Sequence, residues 1–315
     1  MTAETNGYIH DALFFDSTED LVAATTPFLR DGLEAGDDVV LICTDEHNRA
    51  IAAGLGNQAR IIYLSRADVF DRAPLAVSSY RQFVKERISL GTSRVRLVSE
   101  VDFGNRAQTW REWSRFEAVC NSALAPLPLW SVCAYDADTL PNQVLATAEL
   151  THPHVRRDGH RSDNPFYVDP AAFMEMTTAD EADPLEATTP TFADGNVDDL
   201  QLLRSRLLGH LGTNGANQVV VEDFLFAVNE VVTNAVRHGQ PPVVVQLWVT
   251  SQRFLCAVTD QGPGFSDPLT GYVAPDDEFP QGRVGLWLVR QLCDDLSTVR
   301  NARGFTVRLS TQHAT

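Results

Sequence analysis

Basic residues are scarce in this sequence: 25 Lys and Arg stand against 42 Asp and Glu, a formal net charge of -17. Attraction to a phosphate backbone needs a basic surface, so direct nucleic-acid binding is not expected. Long apolar runs are also missing. No segment reaches the roughly 18 consecutive apolar residues that cross a bilayer, and Met1-Thr2-Ala3-Glu4-Thr5 has neither a basic nor an apolar leader region. The expectation is a cytoplasmic protein with no membrane partner. CxxC pairs are absent; Cys43, Cys120, Cys133, Cys256 and Cys293 are widely spaced and mostly lie in apolar runs, which reads as reduced core thiols rather than metal ligands. No GxxxxGK[ST] occurs, so a P-loop nucleotide site is not indicated, and there is no internal repeat.

What is present is enough for two globular domains. The chain has 315 residues, 44% hydrophobic and 21% charged. From His10 to about Leu150, short β-rich runs alternate with longer helical patterns. The strand candidates are residues 12–15, 39–43, 61–64, 95–98 and 129–135. Between them, Ser17 to Glu34 reads as a helix capped by Asp16 or Ser17 and closed at Gly36. Leu75 to Leu90 ends at Gly91, and Trp110 to Leu124 is closed by Pro126. Near-continuous apolar strands separated by helices predict a doubly wound, mainly parallel sheet covered on both faces.

No Lys or Arg occurs between Arg161 and Arg204, a stretch that holds ten acidic residues from Asp163 to Asp199. The segment from Glu175 to Asn196 is short of large apolar residues and rich in Thr, Asp, Ala and Pro. It reads as a solvated acidic linker, ending in a first strand near Thr191-Phe192. The predicted division is 1–175, a linker over 176–193, and a second domain over 194–315. In that domain, helices at 197–211, 218–238 and 284–294 and strands at 243–250, 253–259, 296–300 and 304–310 predict an α+β sandwich.

Three segments of the second domain carry chemistry. In Asn229-Glu230-Val231-Val232-Thr233-Asn234-Ala235-Val236-Arg237-His238, Glu230 and Asn234 lie one helical turn apart, with Arg237 and His238 the next turn along. A carboxylate there can orient or deprotonate a nucleophile, and an amide oxygen can ligate Mg²⁺. Asp260-Gln261-Gly262-Pro263-Gly264 ends an apolar strand; its carboxylate can accept from an exocyclic amine, and its glycines allow close backbone approach. Gly282-Arg283-Val284-Gly285-Leu286 opens an amphipathic helix whose N-terminal amides can hold phosphate. Singly, each is also compatible with a polar helix face or an ordinary turn.

In this order the three resemble the N, G1 and G2 boxes of the GHKL ATPase superfamily, with its Bergerat-type fold. The likeness is closest to the anti-sigma-factor serine kinases, through Glu-Val-Val-Thr-Asn-Ala-Val-Arg-His and Gly-Leu-Trp-Leu-Val, and extends from about Asp194 to Ser310. The resemblance implies ATP and Mg²⁺ as cofactors, Glu230 as catalytic base, Asn234 as metal ligand and Asp260 as adenine acceptor. Gly262, Gly264, Gly282, Arg283, Val284, Gly285 and Leu286 would surround the nucleotide, and Thr306, in the final Gly304-Phe305-Thr306-Val307 strand, would approach adenine. Arg283 stands where many relatives have a further glycine, which leaves efficient phosphoryl transfer in question. The N-terminal domain resembles the MEDS sensory domain, through His10, the 27–36 segment, Cys133-Ala134-Tyr135-Asp136 and Thr151-His152-Pro153; near strand ends, His10, Tyr135 and His152 are candidates to line a sensory pocket, and each is also compatible with a satisfied structural role. The implied function is a switch that sequesters a sigma factor and phosphorylates a serine of an anti-anti-sigma (STAS-type) partner. The alternative is a catalytically inactive ATP-gated binding module, and homodimerisation is left open. A sensor histidine kinase is disfavoured, because no histidine sits in a His-Glu-Leu-Arg-x-Pro-like context.

Overall fold

The computed structural model describes residues 7–56, 60–104, 107–157, 160–177, 183–213, 215–265, 267, 269–272 and 284–313. The chain divides into two compact units, Met1–Met174 and Glu175–Thr315. Among the described residues no helix is long and apolar enough to cross a membrane.

The first unit runs β1 (Ile9–Phe15), α1 (Thr18–Ala35), β2 (Asp38–Ile42), α2 (Asp45–Leu55), β3 (Ile61–Tyr63), α3 (Arg66–Val69), α4 (Ala73–Ser89), β4 (Val95–Ser99), α5 (Ala107–Ala123), β5 (Leu129–Asp136), α6 (Asn142–Thr151), β6 (His154–Arg157), β7 (His160–Asp163) and α7 (Pro170–Met176). The Ser17 hydroxyl caps α1 by accepting from the Asp20 amide, and Gly36 closes it at φ 81, a left-handed backbone that suits glycine. The sheet order is β3-β2-β4-β5-β1-β6-β7. Every pairing is parallel except β6 with β7. All of β4 and nearly all of β5 are buried, as strands covered on both faces must be.

β6 and β7 have no counterpart in the sequence reading, because their residues are mostly polar. They are held by Asp11 of β1, fully buried, which accepts from Arg156 Nε (2.8 Å), Arg161 Nε (2.9 Å) and Trp130 Nε1 (2.9 Å). An ion pair thus does at this edge what apolar alternation does elsewhere in the sheet.

The second unit begins with a 3₁₀ turn, Pro184–Ala187, and continues through β8 (Phe192–Asp194), α8 (Leu200–Leu211), α9 (Gln218–His238), β9 (Val244–Val249), β10 (Arg253–Asp260), α10 (Val284–Leu292), β11 (Asp295–Asn301) and β12 (Gly304–Gln312). Its sheet, β11-β12-β10-β9-β8, is antiparallel throughout. One face packs on the helices: Phe224, Val228 and Val231 of α9 share a core with Val245, Phe254, Val258 and Leu309. Trp248, Leu255 and Ala257 form a separate small cluster against which Leu185 packs.

That second cluster corrects the reading of the acidic segment as a solvated linker. Asp183 and Glu186 build a capping box on the 3₁₀ turn. Asp183 Oδ1 also accepts from Arg253 Nη2 (2.6 Å), Glu186 pairs with the Arg308 guanidinium, and Trp248 Nε1 donates to Thr188 O (3.3 Å). The turn is therefore a strap held to the sheet by two ion pairs and one apolar contact. Residues 178–182 of the predicted linker lie outside the described residues. Because the Arg308 side chain is only 7% exposed, removing its carboxylate takes a charged partner from a largely buried guanidinium. Glu186→Ala is expected to lower stability by about 1–3 kcal/mol in urea denaturation of the full chain; an unchanged midpoint would show the strap to be energetically idle.

Candidate functional site

Helix α9 is capped by Asn217, whose side chain accepts from the Val219 amide, and it buries Phe224, Val228, Val231 and Ala235 along one face. The periodicity that seats this face fixes the flanking positions. Asn234 and His238 reach the rim of a cavity of about 180 Å³, together with Val231, Ala235 and Gly239. The opposite wall is Val258 and Asp260 of β10 and Phe305 and Val307 of β12, closed at the sides by Gly264, Phe265 and Leu286.

Asp260 is the buried polar group of this wall, 6% exposed. Its Oδ1 accepts from the amides of Gly262 (2.6 Å) and Gln240 (3.3 Å), while Oδ2 makes no hydrogen bond among the described residues. The carboxylate is thus oriented by backbone with one oxygen left over. The glycines here are places of close approach. A Cβ on Gly262 would lie 2.8 Å from Gly239 Cα, so the two backbone segments could not meet with side chains between them. Gly264 adopts φ 70, and a side chain there would run into the Phe305 ring.

At the start of α10, a Cβ on Gly285 would fall 2.7 Å from Glu230 Oε2 and 3.9 Å from Asn234 Nδ2. Glu230 and Asn234 therefore converge on one backbone position, beside the cavity that Asp260 lines. Val284 is exposed at the first residue of the helix, and Arg237 is exposed and outside the lining. Gly282 and Arg283 lie outside the described residues.

One expectation fails on strand alternation. Thr306 pairs with Thr259, and their hydroxyls bond each other at 2.8 Å; both belong to the face opposite Val258, Asp260, Phe305 and Val307. Thr306 does not reach the cavity. Its neighbour Phe305 does, stacked edge-on against Phe265 at 5.1 Å, and the period-two pattern of Phe305 and Val307 was the signal that could have found it.

In the first unit His10, Tyr135 and His152 do come together, but as a solvent-excluded cluster rather than the walls of an open pocket. Their common partner is Glu117 of α5, which sequence reasoning missed. Glu117 Oε2 lies 3.2 Å from His10 Nε2 and 3.7 Å from His152 Nε2, and Oε1 accepts from Tyr135 OH at 3.1 Å. Burial alone would raise the Glu117 carboxyl pKa, but the hydrogen bonds from His10 and Tyr135 and the adjoining imidazoles outweigh it and hold it below the ordinary value. Burial pushes the His152 imidazole down to about 3, so it is neutral. Cys133, two residues before Tyr135 on the same face of β5, completes the group, and burial beside Glu117 pushes its thiol well up. A separate open cleft of about 1130 Å³ lies past the C-terminal ends of β2 and β3, lined by Thr44, Asp45, Asn48, Arg49 and Arg66, the end of a parallel sheet where ligands commonly bind.

Comparison with known proteins finds likenesses in both units. Serine-protein kinase RsbW of Staphylococcus epidermidis is 29% identical over 123 residues, covering 35% of this chain and 77% of that protein. RsbW of Staphylococcus aureus is 27% identical over 124 residues, with the same coverages. A solved structure of the RsbU and RsbW domains of a Mycobacterium tuberculosis protein matches 40% of this chain and 33% of that one at 21% identity, with a TM-score of 0.29. Residues 9–153 match the model of MEDS, the MEthanogen/methylotroph, DcmR Sensory domain, and residues 194–311 match that of the histidine kinase-like ATPase domain. The chain therefore joins a MEDS domain to a histidine kinase-like ATPase domain.

Proposed function

We propose that the second unit binds ATP with Mg²⁺ and phosphorylates a serine of an anti-anti-sigma partner, in a protein that also sequesters a sigma factor under control of the N-terminal sensory unit. The observation that carries this reading is the convergence of Glu230 and Asn234 on Gly285, beside the cavity that holds Asp260. The RsbW relatives, named as serine-protein kinases, support it.

The residues present fit a nucleotide. A cavity of about 180 Å³ lies below the roughly 300–1,000 Å³ of a pocket for a whole drug-sized molecule, so it suits the base rather than the complete ligand. Asp260 would offer Oδ2 to the exocyclic amine of adenine, while Val258, Phe305 and Val307 cover the ring faces. Asn234 would present its side-chain oxygen to Mg²⁺. Glu230, one turn earlier, would orient the partner's serine hydroxyl and take its proton. Bound ATP with Mg²⁺ supplies the phosphoryl group and the charge that stabilises its transfer. The first residues of α10 would lie against the phosphates, and the bare Cα of Gly285 keeps that approach open.

Two measurements test the reading. Asp260→Asn is expected to weaken ATP binding by about 1.5–3 kcal/mol, roughly 10- to 150-fold, in calorimetry on the full chain; an unchanged affinity removes Asp260 from the adenine site.

Glu230 and Asn234 should then separate by phenotype. Glu230→Ala should abolish transfer of label from ATP to an anti-anti-sigma protein while leaving ATP affinity nearly unchanged, because the lost interaction belongs to the transition state. Asn234→Ala should lower Mg²⁺-dependent affinity and transfer together. A wild type that binds ATP and its partner without ever transferring label would make the second unit an ATP-gated binding module instead.

A further inference from the structure

We propose that His10, Glu117, Cys133 and His152 form a closed binding site for a divalent transition cation, zinc by the character of its ligands, inside the N-terminal unit. The four residues come from four elements: His10 from β1, Glu117 from α5, Cys133 from β5 and His152 from the end of α6. All are at most 4% exposed, and one donor atom of each lies within 4.8 Å of all the others.

The spacing is that of a coordination shell. His10 Nε2 is 3.2 Å from Glu117 Oε2 and 3.3 Å from Cys133 Sγ, Cys133 Sγ is 3.6 Å from Glu117 Oε2, and His152 Nε2 is 3.7 Å from Glu117 Oε2. Bonds of about 2.0–2.1 Å to nitrogen and oxygen and about 2.3 Å to sulfur give a tetrahedron edges of about 3.3–3.6 Å. Four of the six edges, at 3.2–3.7 Å, are close to that size, and the other two are no longer than 4.8 Å.

Tautomers point the same way. Asn121 Nδ2 is directed at the carbonyls of Glu117, Ala118 and Thr151, so its Oδ1 is free to accept from His10 Nδ1–H at 3.1 Å. His152 Nδ1–H donates to Ala148 O at 2.8 Å. The Nε2 atom of each ring is left facing the cluster, and that of His152 is buried with no hydrogen-bond partner among the described residues. Outer partners that hold Nδ1 while Nε2 faces inward are the usual support of metal-bound histidine. A proton on His10 Nε2 would satisfy its contact with Glu117, yet it would leave His152 Nε2 bare beside a carboxylate. A cation satisfies both at once.

Charge closes the case. On binding, the Cys133 thiol gives its proton to solvent as the metal–sulfur bond forms, while Glu117 enters as a carboxylate. One thiolate and one carboxylate cancel a divalent cation, so the buried site is neutral, the condition under which charge tolerates a dry interior. Two imidazoles, a thiolate and an oxygen donor in this geometry suit zinc better than the hard, oxygen-seeking cations. Cys133 is thereby moved out of the class of plain core thiols to which its sequence context assigned it.

The test uses the full chain without a polyhistidine tag, expressed in zinc-supplemented medium and desalted. Mass spectrometry should find about one zinc per chain. Cobalt substitution should give the visible bands of a tetrahedral site and a near-ultraviolet thiolate-to-cobalt band, and Cys133→Ser should lose the latter. Asn121→Ala keeps all four ligands and is expected to weaken cobalt binding by about 10- to 100-fold, which gives a reading even if Cys133→Ser does not fold. Another first-row divalent cation bound with the same dependence on Cys133 and Asn121 supports the site. A folded wild type with neither zinc nor cobalt bands overturns it, as does a cobalt spectrum and affinity that both substitutions leave unchanged.

Discussion

The pleat of the β10–β12 pair decides what the second unit can offer a ligand. With Asp260 opposite Phe305 and Val258 opposite Val307, alternate residues of both strands face α9, and those between them face the strap. A one-residue slip would exchange the two sets entirely. Asp260 and its apolar companions would then turn away from Asn234, and Thr259, Thr306 and Arg308 would enter the helix-side core. The register is held from both sides: the helix face buries Phe254, Val258 and Leu309, and the other face pairs Arg308 with Glu186. The strap thus bears on the site although it touches none of its residues.

The first unit solves a different problem of the same kind. Its central strands are buried on both faces, where hydrocarbon is the ordinary filling, yet it places Asp11, Glu117, His10 and His152 there. Asp11 is fully accounted for by two arginines and an indole, and its product is structural, the attachment of β6 and β7. Glu117 accepts from Tyr135 and lies against the rings of His10 and His152, whose outer nitrogens are already engaged, and among the described residues the His152 Nε2 is left without a hydrogen-bond partner.

How much of this was legible in the sequence depended on whether local chemistry or tertiary pairing decided the outcome. The helix from Gln218 to His238 was readable in the sequence, and the Asn217 cap and Gly239 end of the structure agree with those bounds. The five parallel strands were readable as apolar runs. β6 and β7 were not, since Arg156 and Arg161 resemble loop residues until Asp11 is placed beside them. Asp183 and Glu186 looked like solvated acid for the same reason, because Arg253 and Arg308 stand 70 and 122 positions away. The motifs picked out Asp260, Gly262, Gly264 and Gly285; the fold puts Asp260 and Gly264 in the lining of one cavity and Gly262 and Gly285 in close backbone approach beside it. Thr306 was misplaced because a motif names a segment, and only strand parity says which of its residues faces the ligand. Glu117 could not be found at all from spacing alone, being one charged residue among several in α5.

The two sites share a physical signature more general than either motif. In each, a buried polar group has one atom committed to its own backbone or neighbour and a second atom left facing inward. Asp260 gives Oδ1 to the amides of Gly262 and Gln240 and keeps Oδ2; His152 gives Nδ1 to Ala148 and keeps Nε2. Complete satisfaction would make such a group purely structural, and a wholly unsatisfied group would cost more than a fold of this size easily sustains. Half-satisfaction orients the remaining atom at modest cost and reserves it for something that arrives later. The difference lies in access: Asp260 borders a cavity, which suits a ligand that exchanges, whereas His152 is sealed within the sheet and helices, which suits one acquired during folding and retained.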